Sequence, residues 1–229
     1  MDYLAQGFIE AIRLLVSLDE VAYSAVYTTL RVSTLSIFMS LMIGIPCGFG
    51  LGYFDFPGKK PIRSVVDTLL AMPTVVVGLF VYAFVTRRGP LGELGLLFTI
   101  PGIAVAQTIL VLPIVISLTA TAIESLDRRF RFTLISLGAR RTQIVMTSLM
   151  EARFAVLIAG ITAYGRAISE VGVSMMIGGN IKWHTRTITT AIALETGKGE
   201  FAMGIALGIV LLALAFAVNG ALAFLRKRS

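Results

Sequence analysis

Arg166 and Glu170 stand four residues apart in the apolar run Ala163-Tyr-Gly-Arg-Ala-Ile-Ser-Glu-Val-Gly172. At that spacing both side chains leave one face of a helix. A charge in an apolar environment is costly alone, so such a pair either serves a path for a charged solute or pins two helices together. The residues leave both readings open. Asp67 and Arg31 are similarly placed, and for them the expectation is snorkelling to a polar boundary. A second group is Met175-Met-Ile-Gly-Gly-Asn-Ile-Lys-Trp-His-Thr-Arg186, which offers backbone amides, hydroxyls and the cations Lys182 and Arg186. Those groups suit an anion, but the stretch reads equally as an ordinary loop with an interfacial Trp183. Hydrolytic chemistry finds no set of residues. His184 is the one histidine, Cys47 the one cysteine, and no Gly-x-x-x-x-Gly-Lys-Ser/Thr run occurs. A metal centre or disulfide framework is excluded on the same grounds, and no cofactor is expected.

The elements that must position these residues are membrane spans. Of the 229 residues, 56% are hydrophobic and 14% charged, against about 25% charged in soluble domains. Mean hydropathy is +0.87. The net charge of +7 is carried by loops that alternate with apolar runs, and the aromatics lie inside those runs. That pattern belongs to membrane topology and sets nucleic acid aside. The expected architecture is all-α, with five transmembrane helices at 22–54, 62–86, 100–123, 151–170 and 201–225. Residues 1–20 are expected to form an outer amphipathic segment, and no cleavable signal peptide is read there because Asp2, Glu10 and Arg13 interrupt it. Prolines and glycines within the spans, such as Pro46, Pro73, Pro113, Gly44 and Gly78, read first as helix packing.

One loop differs from the others. Residues 127–149 form a polar, basic island containing Thr133-Leu-Ile-Ser-Leu-Gly-Ala-Arg-Arg-Thr-Gln143. Arg128, Arg129, Arg131, Arg140, Arg141 and Arg153 fall within it or beside it. It has room for a short helix, a bend at Gly138-Ala139 and a second helix returning to the membrane, the shape of a docking element. Basic loops are held on the cytoplasmic side. With the island inside, Lys59, Lys60, Arg63, Arg226, Lys227 and Arg228 are inside too, and only Arg13, Arg87, Arg88, Lys182, Arg186 and Lys198 lie outside. The expected orientation is N-terminus out and C-terminus cytoplasmic. A stand-alone carrier would call for coupling groups deep in the spans and an internal repeat, and a membrane enzyme for clustered His, Asp or Glu. The sequence has neither.

The island followed by Arg166-x-x-x-Glu170-x-Gly172 resembles the cytoplasmic signature of ABC importer permeases of type I, in which a helix–Gly–helix element docks on an ATPase subunit. Leu137-Gly138-Ala139 matches the Leu-Gly-Ala of that family. Arg166 to Gly172 and Gly178-Gly-Asn-Ile181 are similar to stretches of molybdate- and sulfate-type permeases. Thr189-Thr-Ala-Ile192 and Leu194-Glu-Thr-Gly-Lys-Gly-Glu-Phe201 resemble the tungstate-type branch most. Three departures stand out: Arg131 or Phe132 where the loop's glutamate is expected, Met150 for a proline, and Ser169 for a glycine.

The resemblance implies a homodimeric inner-membrane permease without enzymatic activity of its own, moving a tetrahedral oxyanion by alternating access. Tungstate would come first, molybdate and sulfate after it. It implies coupling to a cytoplasmic ATPase pair through Arg128, Arg129, Leu137, Gly138, Ala139, Arg140 and Arg141. Arg166, Glu170, Met175 and Met176 become pathway or gate candidates. Arg87, Arg88, Asn180, Lys182 and Arg186 become candidates for docking a periplasmic or lipid-anchored binding protein.

Overall fold

Asp19 starts the first long helix by accepting a hydrogen bond from the Ala22 amide at 2.8 Å, satisfying one of the free donors of a helix start. The helix it caps, α1 (Glu20–Tyr53), has 34 residues and is about 51 Å long at 1.5 Å per residue. The chain continues through α2 (Lys59–Leu69), α3 (Thr74–Val85), a 3₁₀ turn at Gly92–Leu94, α4 (Ile100–Glu124), α5 (Arg128–Ser136), α6 (Arg141–Glu151), α7 (Arg153–Ile168), α8 (Gly172–Gly178), α9 (Ile188–Gly197) and α10 (Phe201–Arg226). The computed structural model describes residues 5–9, 12–13 and 19–226. Residues 5–9 are helical, and Gly7 is buried against Ile205 of α10. Residues 1–4, 10–11 and 14–18 of the outer amphipathic segment, with Lys227 and Arg228, lie outside the described residues.

Among the described residues, α1, α4 and α10 are each long and apolar enough to cross a membrane. Two further candidates are bent pairs: α2–α3 turns by 100° and α6–α7 by 64°. The second bend lies at Ala152, between the island's second helix and the long apolar helix that follows it. The first falls at Pro73, inside the stretch expected as the second span. Pro73 has no amide hydrogen and its ring collides with the preceding turn. The helix therefore tightens to short-range bonds (Ala71 to Thr68 at 3.1 Å, Met72 to Leu69 at 3.2 Å) and restarts at Thr74.

The centre of the bundle is the long contact of α1 with α4. Gly44, Gly48 and Gly52 recur every four residues on α1, and small residues at that spacing let two backbones approach closely. A Cβ on Gly48 would lie 2.7 Å from the Ile116 carbonyl oxygen, and one on Gly52 would lie 2.6 Å from that of Ala120. Backbone cannot move aside as a side-chain tip can. Gly48→Leu is therefore expected to cost about 1–3 kcal/mol of overpacking and to lower the melting temperature of the purified protein. Gly50→Leu is the control, with nothing within 4 Å of its Cβ. Equal melting temperatures for the two variants would show that the α1–α4 contact is looser than described.

Four apolar clusters fix the two ends. Phe49, Ala122, Ile123 and Ala152 gather the ends of α1 and α4 and the start of α7 beside the island. Ala22, Ala25, Ile188, Ala191, Ala206, Leu207 and Val210 gather the starts of α1, α9 and α10 at the opposite end. Val32, Val77, Val81, Ile103, Val173 and Ile177 seat α3 and α8 against the first half of α4. Ile37, Val111, Val115, Ala163 and Ala167 hold α7 in the middle.

Candidate functional site

The island folds as a helix, a glycine and a second helix. Asp127 accepts from the Arg129 amide at 2.8 Å and opens α5. At the other end the Gly138 amide donates to Ile135 O and the Ala139 amide to Leu134 O, each at 3.0 Å. This is the paired closure that a left-handed residue permits after a helix, and Gly138 supplies it with φ +73°. Gln143 accepts from the Arg140 amide at 2.7 Å and opens α6. The element stands on Ile144 and Ser148, which are buried, and on Val145 and Leu149 against the Phe49–Ala152 cluster. Its outer side is open: Leu137 is 78% exposed, Phe132 and Ile135 are also exposed, as are Arg129, Arg140 and Arg141. Ala139 is half-buried. Apolar side chains ringed by cations with nothing upon them form a surface suited to a partner protein.

Arg166 and Glu170 meet as the spacing predicts, with Arg166 Nη1 donating to Glu170 Oε2 at 3.0 Å. Burial divides them, because Glu170 is 2% exposed while the Arg166 side chain is 39% exposed. Glu170 lies just past the end of α7 and makes two further contacts. Its Oε1 accepts from the Val173 amide at 3.1 Å, and its carbonyl accepts from Thr189 Oγ1 at 2.8 Å. It thereby joins α7, α8 and α9. Gln107 of α4 donates to Ala167 O at 3.3 Å and Ser174 Oγ at 3.1 Å, closing the junction from behind. Thr162 and Ser169 are exposed and follow the spacing of Arg166 along α7, giving a polar stripe on a membrane helix. Met175 and Met176 follow on α8, both half-buried. Met176 lies over Gly78, where a Cβ would come 2.9 Å from its sulfur.

The candidate outer residues divide into two groups. Asn180 and Arg186 are joined, with Arg186 Nε donating to Asn180 Oδ1 at 3.1 Å. Lys182 Nζ sits 5.3 Å from the centre of the Trp183 ring. The loop is held by Ile181 O, which accepts from the amides of His184, Thr185 and Arg186, and is thus more ordered than an ordinary connection. Arg87 and Arg88 are exposed on a separate turn after α3. Helices α8 and α9 fall within a region whose sequence reads as mixed. A Thr187–Thr190 cap and an Ile188 amide bonded to Thr29 Oγ1 at 2.9 Å set α9 in place.

Sequence reasoning passed over one polar set. Asp67 is exposed and accepts from Ser117 Oγ at 2.7 Å and from Arg63 Nε at 3.2 Å. Lys59, Arg63 and Asp67 recur every four residues on α2, opposite Ser117, Thr121 and Glu124 of α4. That matched periodicity was the available signal.

Helices long and apolar enough to cross a membrane, joined by an exposed basic helix–glycine–helix, set the class of protein as a multi-pass membrane one. The chain belongs to the family described as binding-protein-dependent transport system inner membrane component, whose pattern matches residues 44–229. It is therefore an ABC permease subunit, a multi-pass inner-membrane protein that works with an ATPase and a binding protein. It is 50% identical over 219 residues to the tungstate uptake system permease protein TupB of Campylobacter jejuni, covering 96% of this chain and 92% of that one. The TupB protein of Peptoclostridium acidaminophilum is 37% identical over 227 residues, covering 99% of this chain and all of that one. In fold, the chain is similar to a chain of the inward-facing MetNI methionine ABC transporter, with a TM-score of 0.76, 19% identity and coverage of 93% and 98% respectively.

Proposed function

We propose that this chain is the permease of a tungstate importer. The observation that carries the reading is 50% identity to a tungstate permease across nearly its whole length. The ordered Arg166–Glu170–α8 junction and the bonded Asn180–Arg186 loop support it, since both fall where the sequence resembles the oxyanion branch. In this reading two copies pair about a two-fold axis that contains the path, as closed symmetry favours. The ATPase pair docks on residues 127–149, with Leu137, Gly138, Ala139 and the arginines 128, 129, 140 and 141 as its contact. The spans are those of 22–54, 62–86, 100–123, 151–170 and 201–225, with the N-terminus outside. The binding protein docks near Arg87, Arg88, Asn180, Lys182 and Arg186. Arg166, Glu170, Met175 and Met176 belong to the path or its gate.

Binding-protein docking and ATP then bias the dimer between two states. The path holds its anion weakly so that turnover is not limited by release, which leaves selection mainly to the binding protein. The test is ATP hydrolysis in proteoliposomes carrying the permease, its ATPase and its binding protein. Stimulation by tungstate-loaded binding protein alone is expected. Equal stimulation by molybdate or sulfate would keep the importer and remove tungstate as its cargo.

A further inference from the structure

Helix α2 buries no residue. Ile62 is 49% and Val65 59% exposed on its apolar side, so no core holds it to the bundle. What holds it is a ladder of polar contacts to α4. Asp67 meets Ser117 at 2.7 Å, Arg63 Nη2 meets Thr121 Oγ1 at 2.7 Å, and Lys59 meets Glu124 at 3.3 Å. As the numbers rise on α2 they fall on α4, so the helices run antiparallel for two turns. Seven residues separate Ser117 from Glu124, placing the Asp67–Ser117 contact about 10 Å inward from the end of α4. Charged groups at such a depth face water or one another, not acyl chains. Here they border an open cavity of about 750 Å³ lined by Lys60, Arg63, Ser64, Asp67, Thr68 and Glu124, among others. Across the whole lining, Lys59, Lys60 and Arg63 balance Asp55, Asp67 and Glu124, so the wall carries no net charge to retain an anion.

Both ends of α2 are built to turn. Gly58 precedes it at φ +93°, a conformation glycine adopts freely. The break at 70–73 follows it, and the angle it makes with α3 encloses an apolar cavity of about 430 Å³ reaching Leu69, Met72, Phe80 and Pro113. The ladder also shares a cavity with the docking element. Lys59 and Glu124 line a smaller cavity, of about 250 Å³, together with Phe130 of α5 and Ser148 of α6. A shift of α5–α6 would therefore reshape the cavity that this ion pair lines.

We propose that α2 is the moving arm of the inner vestibule, and that the Lys59–Arg63–Asp67 ladder on α4 is the latch released when the docking element moves. The proposal rests on the chain being a transport permease, but not on tungstate being its cargo. Lys59, Arg63 and Asp67 are positioning residues here, setting where α2 stands.

Spin labels on Thr68→Cys and Leu118→Cys in a Cys47→Ser background, both at exposed positions, report the α2–α4 separation in the assembled complex. The expected result is a change of several ångströms between the nucleotide-free and ATP-trapped states. An unchanged distance overturns the proposal, whatever the cargo. A second experiment joins the same Thr68→Cys and Leu118→Cys pair with a thiol-cleavable cross-linker, leaving every rung of the ladder in place. Uptake should fall at least ten-fold when linked and return on reduction, with ATPase binding retained. Undiminished uptake by the linked protein shows a static contact and overturns the latch. Absence of uptake in the unlinked double variant as well means that the substitutions themselves stop transport, and the spin-label distance then decides the arm.

Discussion

A Gly138→Val permease is expected to insert, assemble with its ATPase and hydrolyse ATP, yet to import at one-tenth of the normal rate or less. The argument is conformational. Gly138 holds φ +73°, and a side chain in that left-handed region costs about 1–2 kcal/mol, more for a branched residue such as valine. No atom lies within 4 Å of a Cβ placed there, so the substitution meets no clash and leaves the bundle alone. What it loses is the paired closure by the Gly138 and Ala139 amides, and with it the angle between α5 and α6. An energy of 1–2 kcal/mol is a factor of roughly 5–30 in the population of the correct bend. Gly138→Asn should recover most of the loss, because asparagine tolerates the same region. The measurement is the ratio of ions imported to ATP hydrolysed in proteoliposomes. A normal ratio for the valine variant would remove the bend from the transmission of force.

The helix–glycine–helix of the island was legible because it is local. A glycine between two polar helical runs, rich in arginine and set in an apolar chain, is specified by neighbours in sequence, and α5, Gly138 and α6 stand as expected. The Arg166–Glu170 pair was legible for the same reason: four residues on one helix turn need no tertiary knowledge. The break at Pro73 was only half legible. A proline in a span can be absorbed, as Pro46 and Pro113 are within continuous helices, and what separates the cases is the packing around them. Helices α8 and α9 were not legible. They are short, and distant residues fix them: the Phe98 amide donates to Ile177 O near the end of α8 at 2.8 Å, and Thr29 Oγ1 accepts from the Ile188 amide at the start of α9. The α2–α4 ladder failed for a related reason. Each helix shows only a faint polar period, and its meaning appears when the two are laid antiparallel.

The Arg166–Glu170 pair is expected to prove asymmetric, and this separates a role in the path from a merely structural one. Glu170→Ala removes an acceptor from the Val173 amide and from Arg166 at a site 2% exposed. Loss of a helix-start acceptor costs about 0.5–2 kcal/mol. The lost ion pair adds less than the figure for a fully buried pair, because Arg166 is 39% exposed and screened by solvent. The alanine variant should therefore melt several degrees lower. Glu170→Gln keeps an oxygen for Val173 and should melt near the parent. Arg166→Gln is made in the Glu170→Gln background, so that no buried carboxylate is left without its cation; the bond to the Val173 amide and the fold survive while the cation on the exposed stripe with Thr162 and Ser169 disappears. If that cation guides an oxyanion, import falls at least ten-fold in Arg166→Gln with little change in melting temperature. Exchange of the two residues is not a neutral swap, since arginine has no acceptor to offer Val173. Import at the parent rate by Arg166→Gln would leave the pair as a pin between α7 and α8, and the path would then have to be sought on another face.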